Sequence, residues 1–340
     1  MRVIAVIACT GLLALPSVTT AQDSPKVHEL KASPKTVHRN FLDGTLQPIL
    51  TIDSGDIVRL ETVSGNPRYY EKLGVPKEKI PAVLFEMFEG VEGAGRGDHT
   101  LVGPIEVRGA EPGDTVEIRI RKVDVWLPIA GQSFGTARAT LPGEFTTGKD
   151  RPVFIDLNRK VVEYLPGIEI PTQPFWGVIA TAPPLTMGRV PSGAPNMFGG
   201  NMDNRDLGQG STLFLPVFVP GANVSIGDGH AAQGEGEVCG TAVEGSLTGE
   251  VQILLHKGRK LNLPRAETAT HYMTMGLHTD LDEAAKIATR EMIDFLVETK
   301  GLSREDAYLL SSSALDLIVT QNVDGTKGIH AMMPKNIFKK

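Results

Sequence analysis

The sequence predicts a mainly β fold, with a β-rich body followed by a smaller α+β C-terminal portion, and three observations predict it. Turn-forming residues are abundant: 37 Gly and 23 Pro among 340 residues, about 18% where about 12% is usual. Apolar and polar residues alternate at period 2 in the first half, the repeat of a half-buried strand. A 3.6-residue helical period is confined to the last third. Composition narrows the function classes as well. With 41% hydrophobic and 22% charged residues the chain is too apolar to stay disordered. A net charge of −6 with no basic stripe argues against a nucleic-acid partner. No internal run of about 18 apolar residues predicts a membrane bundle.

In chain order, Arg2, the uncharged apolar run 3–15, Pro16 and the small-residue ending Thr19-Thr20-Ala21 have the layout of a secretory signal peptide over 1–21. The expectation is export to the periplasm or medium, with cleavage near Ala21 and no membrane attachment afterwards. Cleavage removes Cys9 and leaves Cys239 alone, so no internal disulfide is expected. Stability then has to come from core burial, which a body of this size supplies without staples.

The β-rich body is expected over 22–265, with a split into two β subdomains near 180. Ser54-Gly55-Asp56 turns into a strand through Ile57, Val58 and Leu60. Ile105–Val107 and Thr115–Ile120 alternate around Glu111-Pro112-Gly113-Asp114, which predicts a hairpin. From 181 to 235 the chain is rich in Pro and Gly and reads as loop. The α+β portion is expected over 266–340. Asp280 caps a helix over 281–299 that Gly301 ends, Ser303 and Asp306 begin a second helix over 304–316, and Ile318-Val319 starts a strand.

The residues that can carry chemistry crowd into one segment, Asn223 to Glu244. Asp228, His230, Glu235 and Glu237 lie within ten positions there, separated by small residues. Glycines at 227, 229, 234, 236 and 240 permit tight bends that bring such side chains together. Asp, His and Glu are ligands for Zn²⁺ and similar ions. Asp203, in Gly199-Gly200-Asn201-Met202-Asp203, forms a second polar node, and Asp98-His99 a third. A lone histidine in a glycine-rich stretch is commonly an ordinary surface residue; the crowding around His230 is what stands out. Cys239 reads either as a small buried residue or, with Lys257 nearby in sequence, as a thiolate nucleophile.

On these residues the chain resembles the acetamidase/formamidase family. The resemblance is carried by Gly103 to Asp114, by Pro174-Phe175-Trp176-Gly177, by Gly199 to Asp203, and by the long stretch Gly227 to Gly240. Ala307-Tyr308-Leu309-Leu310, Val323-Asp324 and Ile329-His330-Ala331 extend it into the tail. It implies a β-sandwich or jelly-roll-like body and hydrolysis of a short carboxamide, such as formamide or acetamide, to carboxylate and ammonia. Because amide hydrolysis needs a strong nucleophile and a polarised carbonyl, a divalent metal, taken to be zinc, is expected, held by His99, Asp203, Asp228 and His230. Glu235 or Glu237 then acts as acid and base beside His230, Phe175, Trp176 and Phe198 wall the substrate, and the assembly is a homo-oligomer. Two positions depart from the family pattern: Ser64 stands where an acid is expected, and Phe198 where some relatives carry His. The alternatives are a Cys239-dependent amidase and a non-catalytic exported β-sandwich that binds a metal or a sugar.

Overall fold

A computed structural model of the chain describes residues 24–91, 99–136 and 139–339. The expected signal peptide at 1–21 and Asp98 lie outside the described residues. Nineteen of the described strands form one curled, hydrogen-bonded sheet. Its pairings are antiparallel except where Val27–Leu30 meets Ile57–Glu61 and Leu50–Ile52 meets Thr100–Val107. The fold is therefore mainly β, as expected.

The backbone of the sheet is the long strand Val243–His256. It runs against Thr115–Phe134 on one edge and Ile57–Glu61 on the other. Ile57, Val58 and Leu60 are buried, while Arg59 between them is exposed. That is the half-buried alternation the sequence showed. Val58, Ile118, Ile120, Val251 and Ile253 join one large apolar core. Fully burying one such side chain contributes about 1.5–3 kcal/mol.

Two expectations are corrected here. Thr100–Val107 and Thr115–Phe134 are both strands, but they do not form a hairpin. Thr100–Val107 pairs with Val224–Ala232 and Val37–Arg39, whereas Thr115–Phe134 pairs with Val243–His256 and Thr212–Pro216. The turn between them is tied to a third segment: Gly113 N donates to Val217 O at 3.0 Å and Gly221 N to Ala110 O at 2.8 Å. Alternation specifies a strand and leaves its partner open. The second correction concerns 181–235. Val224–Ala232, expected as loop, is a strand buried along its whole length. Its glycines serve close packing: a side chain on Gly227 would collide with Thr100 O, and one on Gly229 with Gly245 O.

The C-terminal helices follow their local signals. Asp280 accepts from Glu283 N at 3.0 Å to cap Leu281–Lys300, and Gly301 closes that helix at φ 67°. Ser303 caps Arg304–Ala314 by accepting from Asp306 N at 3.0 Å. Ala284, Ala288, Met292 and Leu296 form the buried stripe of the first helix. It packs on His271–His278 and Lys327–Pro334, and Asp316–Gln321 supplies the strand expected at Ile318-Val319.

His38 gives the body a titratable weak point. Its Nε2 lies 3.0 Å from Ser225 Oγ, and burial pushes the imidazole down to about 4. A free histidine titrates near 6.5. Between these values the unfolded chain takes up a proton that the folded chain refuses, so stability falls as pH drops from about 6.5 to 4, by about 3 kcal/mol in all. Urea melts at pH 7.5 and 5 are expected to show this slope in the native sequence and a shallower one in His38→Asn. Equal slopes in the two proteins would exclude His38 as its source.

Candidate active site

Three neighbouring strands build the site. Phe175–Ala180 lies in the middle, with Val224–Ala232 on one edge and Gly199–Asn201 on the other. The first flanking strand carries Asp228 and His230, and the second leads into Asp203. Gly177 stands between them. A methyl group there would lie 2.5 Å from Asp203 Oδ1, 2.6 Å from Asp228 Oδ2 and 3.0 Å from His230 Cε1. The absence of a side chain at Gly177 is what lets these three groups meet.

His230 is the hub. It is 1% exposed, and its Nε2 lies 3.3 Å from Asp228 Oδ2, 3.3 Å from Glu244 Oε2 and 3.8 Å from Asp203 Oδ1. On the other side of the ring, Nδ1 lies 2.8 Å from Gln233 Oε1. Gln233 Nε2 donates to Asp203 O at 2.7 Å, which turns its Oε1 toward the ring as an acceptor. Nδ1 therefore carries a proton, and Nε2 faces the carboxylates. Phe175 meets the imidazole edge-on, with centroids 4.9 Å apart.

The cluster extends through Glu237 and Asp324. Donor atoms of Asp203, Asp228 and His230 all lie within 4.8 Å of one another, as do those of His230, Glu237 and Glu244 and those of Asp203, Glu237 and Asp324. Asn201 Nδ2 donates to Asp203 at 2.7 Å and to Asp324 at 3.1 Å. Asp203, Asp228, Glu237 and Asp324 all adopt left-handed backbone conformations, with φ of 48°, 55°, 44° and 58°. Such conformations cost of order 1–3 kcal/mol each and gather at functional sites. Here four coincide on four acids of one cluster.

The electrostatics follow from burial. Burial pushes the Asp203, Glu237 and Glu244 carboxyls above their usual range, with neighbouring acids adding to the shift and His230 opposing it. Asp324 is pushed up to about 6, by burial first and then by Asp228 and Glu244 against His99. For Asp228 burial works the same way, but the charges of His99 and His230 outweigh it and hold the group well below the usual range. Burial disfavours the imidazolium of His230, yet Glu244 and Asp228 raise its pKa well above the ordinary value.

These residues fit a divalent cation. Asp203 Oδ1 and Glu237 Oε2 are buried with no hydrogen-bond partner, oxygen with one imidazole nitrogen is a donor set for such ions, and Gly177 keeps the space between them clear.

The other sequence-predicted residues divide. His99 lies at the margin, with Nε2 3.8 Å from Asp228 Oδ2 and Nδ1 3.1 Å from Ser192 Oγ. Glu235 is not joined to His230: it accepts from Arg205 Nε at 2.6 Å and groups with Asp206 and His330. Phe175 reaches the site, but Trp176 and Phe198 do not. Trp176, one position on, points into the core, where Nε1 donates to Thr62 Oγ1 at 3.1 Å. Phe198 packs with Leu42, Leu101, Val178 and Ala180. Cys239 lines an apolar cavity of about 620 Å³ with Phe134, Phe145 and Tyr164. Its sulfur meets Thr241 O at 3.4 Å, and Lys257 is engaged elsewhere, donating to Asp114 at 2.6 Å. Ser64 Oγ accepts from Gly229 N at 3.3 Å, bracing the strand between Asp228 and His230. Sequence reasoning assigned no role to Glu244, Gln233, Asn201 or Asp324. For Glu244 the usable signal was its place at the end of the glycine-rich segment 223–244; the pairing that sets it opposite His230 belongs to the fold.

The Acetamidase/Formamidase family model matches residues 190–340. Two solved structures are similar over nearly the whole chain. An acetamidase from Bacillus halodurans is 31% identical, with a TM-score of 0.75 over 91% of this chain and 98% of that one. An acetamidase from Yersinia enterocolitica is 29% identical, with a TM-score of 0.79 over 95% and 96%. A curated Schizosaccharomyces pombe protein bearing a formamidase name is 31% identical over 220 residues, 46% of this chain and 52% of that protein. The chain thus spans about half the length of that relative.

Proposed function

From the premise that the chain belongs to the acetamidase/formamidase family, we propose that it hydrolyses a short-chain carboxamide, of formamide or acetamide type, to the carboxylate and ammonia. The observation that carries the reading is the convergence of buried His230 with Asp203 and Asp228 around the side-chain-free face of Gly177, with Glu237 and Glu244 adjoining through His230.

Amide hydrolysis needs a nucleophile, compensation for charge developing on the carbonyl oxygen, and a proton for the leaving nitrogen. Asp203, Asp228 and His230 would hold a divalent ion, zinc in our reading, with His99 at its edge. Such an ion supplies Lewis acidity toward the amide oxygen and makes water easier to deprotonate. Gln233 locks the imidazole so that Nε2 is presented to the site. Glu237 is the acid and base of choice over Glu235, because it sits inside the cluster with His230, whereas Glu235 is paired to Arg205 and groups with Asp206 and His330. Its carboxylate takes a proton from the attacking water as the C–O bond forms, then returns it to nitrogen as the C–N bond breaks. The ring of Phe175 against His230 gives the acyl side an apolar wall. Formamide and acetamide differ there by one methyl group, worth about 1–3 kcal/mol in discrimination.

Ammonia release from formamide, acetamide and propionamide tests this. Release from at least one amide is expected, falling to background after exhaustive chelation and returning with zinc. The Cys239→Ala variant is expected to turn over normally. Loss of turnover in that variant would favour the thiol mechanism. Silence on all three amides with zinc present would favour a non-catalytic binding protein.

A further inference from the structure

The row of residues that holds His230 continues past Glu244. Phe175, His230, Glu244 and Gly131 stand directly opposite one another on four consecutive strands. Directly opposed residues project from the same face, with Cβ atoms about 5 Å apart. The first three fill that face with a ring, an imidazole and a carboxylate. The fourth has no side chain, and a methyl group built on it would lie 3.3 Å from the hydroxyl oxygen of Tyr70.

Tyr70 arrives from outside the sheet. It sits on the short helix Pro67–Lys72, whose start is pinned by Asn66 Oδ1 accepting from Tyr69 N at 3.1 Å. Gly65, at φ +109°, clears the other side of the same hydroxyl, since any side chain there would run into it. Two glycines thus leave room for one phenol oxygen beside Glu244. Tyr70 is 3% exposed, and its hydroxyl has no hydrogen-bond partner among the described residues. Leaving a buried hydroxyl unpaired costs about 1–3 kcal/mol, so a fold that does so near Glu244 holds a donor ready for something else. Burial, reinforced by the charge of Glu244, raises the phenol pKa, and the group remains a neutral donor.

Building on the amidase reading, we propose that Tyr70 is a substrate-binding residue whose hydroxyl donates a hydrogen bond to the carbonyl oxygen of the amide. The neighbouring Glu244 carboxylate accepts from the amide NH₂. A donor beside an acceptor matches a primary carboxamide, which offers one oxygen and one N–H₂. It mismatches the carboxylate product, which has no N–H and carries the same charge as Glu244.

The test compares the full-length zinc-loaded protein with Tyr70→Phe, which keeps the ring, and with Gly131→Ala, which crowds the hydroxyl. In Tyr70→Phe, kcat/KM on the best amide is expected to fall about 10²-fold, the range for losing one donor to a developing oxyanion. The melting temperature is expected to hold or rise, because an unpaired buried hydroxyl has been removed. Gly131→Ala is expected to lower kcat/KM in the same direction. A wild-type kcat/KM in Tyr70→Phe overturns the proposal while leaving the amidase reading intact. A lost melting temperature with activity falling in proportion also overturns it, since that is a structural role. Should the wild type release no ammonia from any amide, the parent reading fails. Acetamide titration by calorimetry then decides, because equal or absent binding in wild type and Tyr70→Phe removes the contact itself.

Discussion

Asparagine at position 203 is expected to yield a protein that melts at a higher temperature in chelator yet has lost at least about 10²–10³-fold of its amide turnover, the range for removing one preorganised electrostatic contact. Asp203 accepts from Asn201 Nδ2 through one oxygen, and its other oxygen is buried without a partner. Burial, Asp228, Asp324 and Glu244 all disfavour its charge, with His230 opposing them. Asparagine keeps the acceptor toward Asn201 and turns an NH₂ toward the neighbouring carboxylates, which accept from it. The ion-free fold gains while the donor set for a cation loses a charge. Thermal melts in chelator beside ammonia assays in zinc check both halves. More than a tenth of wild-type turnover in Asp203→Asn would remove Asp203 from the mechanism.

A single methyl group at position 177 is expected to do comparable damage by geometry alone. In Gly177→Ala the new carbon would sit 2.5 Å from Asp203 Oδ1 and 2.6 Å from Asp228 Oδ2. Those groups have to separate, and displacements of about 1 Å at a catalytic constellation can cost 10²-fold. Overpacking of this kind costs about 1–3 kcal/mol in stability. The expected result is a folded protein with at least 10²-fold lower kcat/KM and weakened zinc retention on dialysis. Wild-type zinc content together with wild-type turnover would show that the carboxylates do not need the space.

What was legible in the sequence was what is written locally. Asp280, Gly301 and Ser303 are caps whose partners lie within four residues, so the two C-terminal helices were readable. Asp203, Asp228, His230 and Glu237 were visible as acids and a histidine amid glycine, and the structure brings them together. Glycine itself was misread. At 227 and 229 it marks close approach between strands, and its lack of a side chain erased the alternation that would have identified Val224–Ala232 as a strand. Strand register was out of reach. Phe175 and Trp176 looked equivalent, but adjacent strand residues face opposite ways, so one covers His230 and the other enters the core. Glu244 and Asp324 join the site through contacts that the fold alone sets. Glu235 and Glu237 are separated by their partners, Arg205, Asp206 and His330 for the first and His230 and Asp203 for the second, all of them outside the segment's local pattern except His230.

The cluster draws on positions from His99 to Asp324, and this bears on how the protein is made. Contacts so far apart in the chain close late and raise contact order, which slows folding. During synthesis, Asp228 and His230 leave the ribosome well before the C-terminal strands and Asp324 exist. A growing chain therefore carries an unfinished cluster, and a product cut short of Asp324 lacks one of its acids. The acids around Asp203 would then all meet only after the C-terminal strands have been added.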